Sequence, residues 1–295
     1  MITKNAMVTI CGRPNVGKST LTNAFVGEKI AIVSNKAQTT RSRITGIVNS
    51  GDTQLVLMDT PGFHKPRNKL GDYMVNVVKE SIPDVDLVLL VVEPIANIGP
   101  QEEALIERIK SSGCPSVLVI NKIDTVEKEE LLAVMALYAQ AHDFAAIVPV
   151  SAKKNDGLDE LLEIMKQYAQ PGPQLFPDDM ISDQPERQIC AEIVREKLLL
   201  CLDKEIPHGT AVEVTRFSER EDGIIDMDVT IYCEKDSHKG IIIGKHGAML
   251  KRIGELARKD VERFMGTKVY LQTWVKVKEN WRDSLAQLRN FGYTE

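Results

Sequence analysis

The stretch Gly12-Arg13-Pro14-Asn15-Val16-Gly17-Lys18-Ser19 sets four residues between two glycines and follows the second with a lysine and a serine. Glycines let successive backbone N–H groups curl inward around an anion, and a lysine there adds a point charge. A helix beginning at Lys18 would aim its N-terminal potential at the same spot. This spacing is that of a loop cradling nucleotide phosphates. Lys18 would reach the β- and γ-phosphates and the Ser19 hydroxyl would ligate Mg²⁺, with Thr20 beside it in the first turn.

Two further polar clusters stand at the ends of apolar runs. Asp59-Thr60-Pro61-Gly62 follows Leu55-Val56-Leu57-Met58. Asp59 can hold the Mg²⁺ shell through water, and a Gly62 N–H left free by the Thr60-Pro61 turn can meet a γ-phosphate. Asn121-Lys122-Ile123-Asp124 ends another run. A carboxylate at Asp124 can accept two hydrogen bonds from guanine N1–H and N2–H₂. Adenine has no donor at those positions and would leave a buried polar mismatch. Ser151-Ala152-Lys153, after the last run, would bring a backbone N–H to guanine O6.

These clusters require strands that end where they begin. β-Branched runs at 7–11, 44–48, 55–59, 87–92, 116–121 and 146–150 alternate with amphipathic stretches at 18–26, 70–81, 101–111, 127–141 and 158–168. Several runs are apolar on consecutive residues, as strands covered on both faces are. The alternation predicts an α/β domain over 1–170, with a mixed, mostly parallel sheet and helices on both faces. Residues 44–48 and 55–59 are joined by a short Ser50-Gly51-Asp52 turn and are expected to pair antiparallel. Four prolines between Pro171 and Pro185 mark 171–185 as a linker.

From 186 to 295 the order changes. A helix over 186–205, strands at 210–217 and 224–233, an isoleucine run, a glycine turn, a basic helix, a strand at 268–277 and a helix at 280–289 give α-β-β-α-α-β-α. The turn is Ile243-Gly244-Lys245-His246-Gly247, and Lys251 and Arg252 follow it. From Lys235 to Arg289 there are 13 Lys/Arg against 6 Asp/Glu, a local excess in a chain whose net charge is −5. Both tryptophans, Trp274 and Trp281, lie near Tyr270, Phe291 and Tyr293. The alternation of 268–277 makes core packing the expected role of Trp274, ahead of base stacking.

Composition bounds the rest. The chain has 295 residues, a length suited to two domains, with 43% apolar and 27% charged residues. The balance excludes a uniformly basic protein. Five cysteines form no Cys-x-x-Cys pair and five histidines show no zinc spacing, which points to a reducing cytosol. The apolar run 87–92 is far shorter than the roughly 18 residues that span a bilayer. The first residues show no signal-peptide core, so a soluble cytoplasmic protein is expected.

The four N-terminal clusters, in this order, resemble the translation-factor-like GTPases. By that resemblance Ala37-Gln38-Thr39-Thr40-Arg41 is a switch I element in which Thr39 or Thr40, with Thr40 preferred, closes on Mg²⁺ when a γ-phosphate is present. The catalytic set is then Lys18, Thr40 and Gly62. Phe63 stands where a water-orienting glutamine is expected, so intrinsic hydrolysis should be slow. Asn15 resembles the asparagine that helps bind K⁺ in related bacterial GTPases, or else it only supports the loop. The helix-strand-strand-helix-helix-strand order around Gly244-Lys245-His246-Gly247 resembles the bacterial (type II) KH fold, whose Gly-x-x-Gly loop clamps nucleic-acid backbone. Expected RNA contacts are Ile243, Gly244, Lys245, His246, Gly247, Lys251 and Arg252.

The pairing of these two domains resembles the Era family of bacterial GTPases over essentially the whole chain. That resemblance implies a monomeric GTP-hydrolysing switch using GTP/GDP and Mg²⁺. It further implies binding near the 3′ end of 16S ribosomal RNA, a role in maturation of the small (30S) subunit, and weak association with the inner membrane. Two other classes compete. One is a membrane-attached signalling or cell-division GTPase whose basic surface faces anionic lipid. The other is a GTP-driven RNA-modifying factor, against which residues 186–295 offer no second catalytic constellation.

Overall fold

The computed structural model describes residues 1–36 and 38–293; Ala37 of the switch I element, Thr294 and Glu295 lie outside the described residues. The chain divides into two compact units, residues 1–66 with 74–183, and residues 67–73 with 184 onward.

The first unit is built on strands β1 (Lys4–Cys11), β2 (Ile44–Ser50), β3 (Thr53–Asp59), β4 (Leu87–Val92), β5 (Ser116–Ile120), β6 (Ala146–Pro149) and the short β7 (Gln170–Pro171). Six of them lie in the order β2-β3-β1-β4-β5-β6, and β7 pairs antiparallel with the start of β1. β3, β1, β4, β5 and β6 run parallel, while β2 returns antiparallel on β3 through a two-residue turn at Gly51-Asp52. β4, Leu-Val-Leu-Leu-Val-Val, is buried throughout because both its faces are covered. Leu87, Leu89 and Val91 join a core with helices α1 (Lys18–Val26) and α5 (Leu158–Gln167). Val88, Leu90 and Val92 join another with α2 (Lys69–Glu80), α3 (Pro100–Ser112) and α4 (Lys128–Ala141). In a parallel sheet so covered, ligand sites lie outside the carboxyl ends of the strands, and the polar clusters sit there.

Of residues 171–185, expected as a linker, 171–183 are seated on the first unit. Gln54 donates to Phe176 O and accepts from the Leu175 and Phe176 N–H groups, each at 2.9 Å. Ile47 N–H donates to Ile181 O at 3.0 Å, and the Ser182 hydroxyl donates to Thr45 O at 2.7 Å. Beyond Pro171, which pairs in β7, the segment forms no helix or strand, yet side-chain and edge-strand hydrogen bonds hold it down.

In the second unit helix α6 (Glu186–Cys201) precedes strands β8 (Ala211–Glu219) and β9 (Ile225–Cys233), helices α7 (Asp236–Ile243) and α8 (Ala248–Met265), strand β10 (Val269–Val277) and helix α9 (Leu285–Asn290). β8 pairs antiparallel with β9, while β9 and β10 run parallel, which requires the crossover that α7 and α8 provide. Ile253, Ala257 and Val261, one turn apart on α8, pack with Ile189, Ile193 and Leu198 of α6 over Met227, Val229 and Ile231. Trp274 departs from the sequence expectation: it is 56% exposed, on the uncovered face of β10. Alternation shows that a strand has two faces and leaves open which one meets the helices. Trp281 is fully buried, with Nε1–H donating to Gly209 O at 2.9 Å.

Candidate functional site

The loop 12–19 joins β1 to α1, as its sequence requires. Gly17 caps α1 with φ 100°, in the left-handed region, and no side chain caps the first turn, so its N–H groups face the loop interior. Lys18 is buried, and its Nζ donates to Gly12 O at 3.2 Å and Arg13 O at 2.9 Å. Burial lowers its pKa, opposed by the nearby Asp59 carboxylate. Pro14, Asn15, Gly17, Ser19 and Thr20 line one cleft together with Thr40 and Gly62, while Val16 is buried beneath.

Three oxygen donors converge beside Lys18. Ser19 Oγ donates to Asp59 Oδ2 at 2.7 Å and lies 2.9 Å from Thr40 Oγ1. Ser19 spends its one proton on Asp59, so the Thr40 hydroxyl is the donor in that second contact. Thr39 Oγ1 instead donates to Lys36 O at 2.6 Å, while it is Thr40 that meets Ser19. Asp59 is fully buried, its Oδ1 has no hydrogen-bond partner, and burial pushes its carboxyl up to about 6, against Lys18 and Ser19. An orphaned carboxylate oxygen beside two hydroxyls is a hard-oxygen donor set that fits Mg²⁺. Among the described residues no cluster of three or more His, Cys, Asp and Glu could hold a metal.

Thr60 Oγ1 donates to Ile10 O at 2.8 Å, which anchors the Thr60-Pro61-Gly62 turn to β1. Phe63 N–H donates to Gly12 O at 3.1 Å, and its ring packs on the core beneath α2 to α4. His64 Nδ1 is 2.9 Å from Gly62 O, and its Nε2 is 3.2 Å from Gln38 Nε2.

The second cluster adjoins the first. Asn121 donates from Nδ2 to Val16 O at 2.8 Å and accepts from Ala152 N–H at 3.0 Å, so one amide fastens the phosphate loop to the 151–153 loop. Lys122, at φ 66°, donates to Asn15 O at 2.7 Å and to Glu93 Oε1 at 2.5 Å. Asp124 accepts from the Ser151 hydroxyl at 2.7 Å, which holds its pKa below the usual carboxylate range; Lys153 is exposed. Sequence reasoning missed the acidic support of this frame. Arg13 pairs with Glu93 at 3.7 Å and with the buried Glu102, which also accepts from Gly99 N–H at 3.2 Å. A glutamate three residues after Gly99 signals a helix start, but nothing in the sequence links it to Arg13.

In the second unit, Ile243 ends α7 and Gly247 caps α8. Gly244 has φ 73°, and a Cβ there would meet Met249 Cβ at 2.7 Å, so the turn demands glycine. His246 is left-handed at φ 52°. Lys245 and His246 are exposed at an α8 N-terminus that no side chain caps, and Lys251 and Arg252 are exposed on the following turn.

Residues 7–122 match the family model of 50S ribosome-binding GTPases and residues 205–282 that of KH domains. The chain is 53% identical over 290 residues to GTPase Era of Ruminiclostridium cellulolyticum, covering 98% of this chain and 97% of that one. It is 50% identical over 294 residues to GTPase Era of Clostridioides difficile strain 630, with 99% of each covered. A crystal structure of Era with MgGDPNP and nucleotides 1506–1542 of 16S ribosomal RNA superposes with a TM-score of 0.95 at 38% identity, covering 99% of this chain and 100% of that one. With a nucleotide frame at the strand ends of the first unit and end-to-end identity of this order, the chain belongs to the Era family of GTPases, enzymes that bind GTP and GDP and hydrolyse GTP.

Proposed function

We propose that this GTPase is a nucleotide-dependent switch acting on the 3′ region of 16S ribosomal RNA during small-subunit maturation. The observation that carries the RNA half is the exposed Lys245-His246 pair at the uncapped N-terminus of α8, followed by exposed Lys251 and Arg252. Backbone phosphates meet both the helix potential and local positive charge there, and Gly244 and Gly247 leave room for close approach. The relative solved with 16S nucleotides 1506–1542 supports the choice of RNA.

In the first unit each side chain has a role. Lys18 and the loop amides hold the β- and γ-phosphates and stabilise charge that builds on the leaving group. Ser19, Thr40 and Asp59 hold Mg²⁺, which when bound neutralises phosphate charge. Thr40 and the Gly62 N–H close on the γ-phosphate. Asp124 reads guanine N1–H and N2–H₂, held ionised by Ser151, while Ala152 N–H and Lys153 border O6. Asn15, whose Nδ2 is committed to Asn35 O at 2.8 Å, keeps Oδ1 for K⁺. Turnover that is equal in K⁺ and Na⁺ would dismiss that last role.

The protein works as a monomer in the cytoplasm with weak contact to the inner membrane; no helix among the described residues is long and apolar enough to cross a bilayer. The test is a mobility-shift series with a 16S 3′-end RNA, comparing wild type with Lys245→Asp/His246→Asp. Loss of RNA binding at unchanged GTP affinity and unchanged circular dichroism is expected. Retained sequence-selective binding by the folded variant overturns the assignment. A parallel titration with anionic vesicles, if it alone responds to the variant, favours lipid over RNA.

A further inference from the structure

Hydrolysis needs a group that holds the attacking water, and Phe63, the residue after Gly62, cannot. Its ring packs on the core and its N–H is spent on Gly12 O. Two polar side chains beside the cleft, Gln38 and His64, stand outside the roles assigned to Lys18, Ser19, Thr40, Asp59 and Asp124. Gln38 comes from the loop before Thr40 and lines the cleft with Lys18, Ser19, Thr40 and Gly62. His64 comes from the loop after Gly62. The two meet, and the chemistry of the contact fixes its polarity. Gly62 O, 2.9 Å from Nδ1, can only accept, so Nδ1 carries the ring proton. The Gln38 amide presents its NH₂ end, which can only donate, to Nε2 across 3.2 Å, so Nε2 is the acceptor. With Nε2 so committed, Gln38 keeps Oε1 as its acceptor. The Gln38 backbone is left-handed at φ 58°, a conformation that a non-glycine residue adopts only when its surroundings hold it.

We propose that Gln38 is the water-orienting residue of this GTPase, supplied by the loop before Thr40 in place of the residue after Gly62, and that His64 is its positioning residue. The proposal rests on the assignment of residues 12–19 to the phosphates. Gln38 Oε1 accepts a hydrogen bond from the water and aims the water lone pair at the γ-phosphorus. The new O–P bond forms as the bond to the β–γ bridging oxygen breaks, that bond's electron pair leaves with GDP, and the water protons finish on the released phosphate. Neither Gln38 nor His64 takes a net proton. The Gly62–Phe63 peptide is pinned at both ends, its C=O by His64 and its N–H by Gly12 O. His64 thereby ties the water-holding side chain to the turn that meets the γ-phosphate.

The test uses the full chain, with single-turnover GTP hydrolysis and, separately, equilibrium affinity for a non-hydrolysable GTP analogue. Gln38→Ala is expected to slow hydrolysis on the order of 10²-fold while analogue affinity stays within about threefold. His64→Ala should cost about tenfold in rate, and the double variant should be no slower than Gln38→Ala alone, because His64 acts through Gln38. His64→Gln, whose amide reaches towards the Nε2 position, should recover part of the rate, and His64→Asn, which mimics only Nδ1, should not. Wild-type turnover by Gln38→Ala overturns the proposal. So does a loss of analogue affinity as large as the loss of rate, which would mark a structural clip. Losses that multiply in the double variant remove His64 from the positioning role. Lys18→Ala is the independent check: if it leaves analogue affinity unchanged, the phosphate assignment itself is wrong, whatever Gln38 does.

Discussion

Substituting Gly17 by alanine should do more harm at Asn121, which fastens the 12–19 and 151–153 loops together, than in the 12–19 loop where it sits. A Cβ at Gly17 would lie 2.1 Å from Asn121 Nδ2, and the backbone there has φ 100°. Asn121 cannot swing aside freely, because its amide is held by Val16 O at 2.8 Å and Ala152 N–H at 3.0 Å. Placing a side chain on left-handed backbone costs about 1–2 kcal/mol. Displacing the amide loses two buried hydrogen bonds worth about 1 kcal/mol each. The total of about 3–4 kcal/mol corresponds to a loss of nucleotide affinity between about 10²- and 10³-fold. Titration with a fluorescent GDP measures it. In Gly17→Ala/Asn121→Ala the clash partner is gone, so the double variant should be weaker than Asn121→Ala only by the backbone strain, with clear non-additivity. Gly17→Ala binding GDP as wild type does would refute the reasoning. Strictly additive losses would show that Asn121 is not the group being displaced.

Asp59→Asn removes a buried carboxyl whose pKa stands at about 6 instead of 3.8. A carboxyl raised in this way destabilises the fold once it ionises. The cost is absent below the unfolded value and grows to about 3 kcal/mol as pH rises through about 6. The nucleotide-free variant should therefore melt higher than wild type near neutrality and alike near about pH 4, while losing Mg²⁺-dependent retention of GTP; a Tm difference that ignores pH sinks the argument. Asp124→Asn should weaken GTP and favour xanthosine triphosphate, since an amide offers a donor where guanine also donates; a competition titration that leaves the preference unmoved would exclude Asp124 from base reading. Trp281→Ala should destabilise by about 3–5 kcal/mol and Trp274→Ala by less than about 0.5 kcal/mol in urea unfolding; equal losses would contradict the burial of one ring and exposure of the other.

The parts legible in the sequence share a property: their chemistry is local. Gly12 to Ser19 lie on one turn, and Asp59, Asn121 and Ser151 each end or follow an apolar strand, so reading the strands placed them at one end of one sheet. The loop Gly244 to Gly247 was legible for the same reason. What escaped depends on residues far apart in the chain. Glu102 holds Arg13 and Glu93 holds Lys122, pairs whose charges carry no mark of each other. Gln38 stands in a motif quoted from the sequence, but its contact with His64 exists only once two loops fold over one cleft. Trp274 was misassigned because period-two alternation cannot tell an inner face from an outer one. Proline content at 171–185 marks a linker but carries no sign of what holds it: Pro171 pairs in β7, and Gln54 and Ser182 hydrogen-bond along the segment.

That seated segment has a consequence for self-association. β2 is the last strand on its side of the sheet, and its outer N–H and C=O groups form an open template on which another copy could lay a strand. The backbone of Ile181 and the hydroxyl of Ser182 occupy Ile47 N–H and Thr45 O, and Ile181 packs against Ile30, Ala31 and Ile44. The chain thus guards its own border with a stretch that forms no strand along β2. The sheet edge beside the loop that carries Thr40 is thereby kept from recruiting a neighbour.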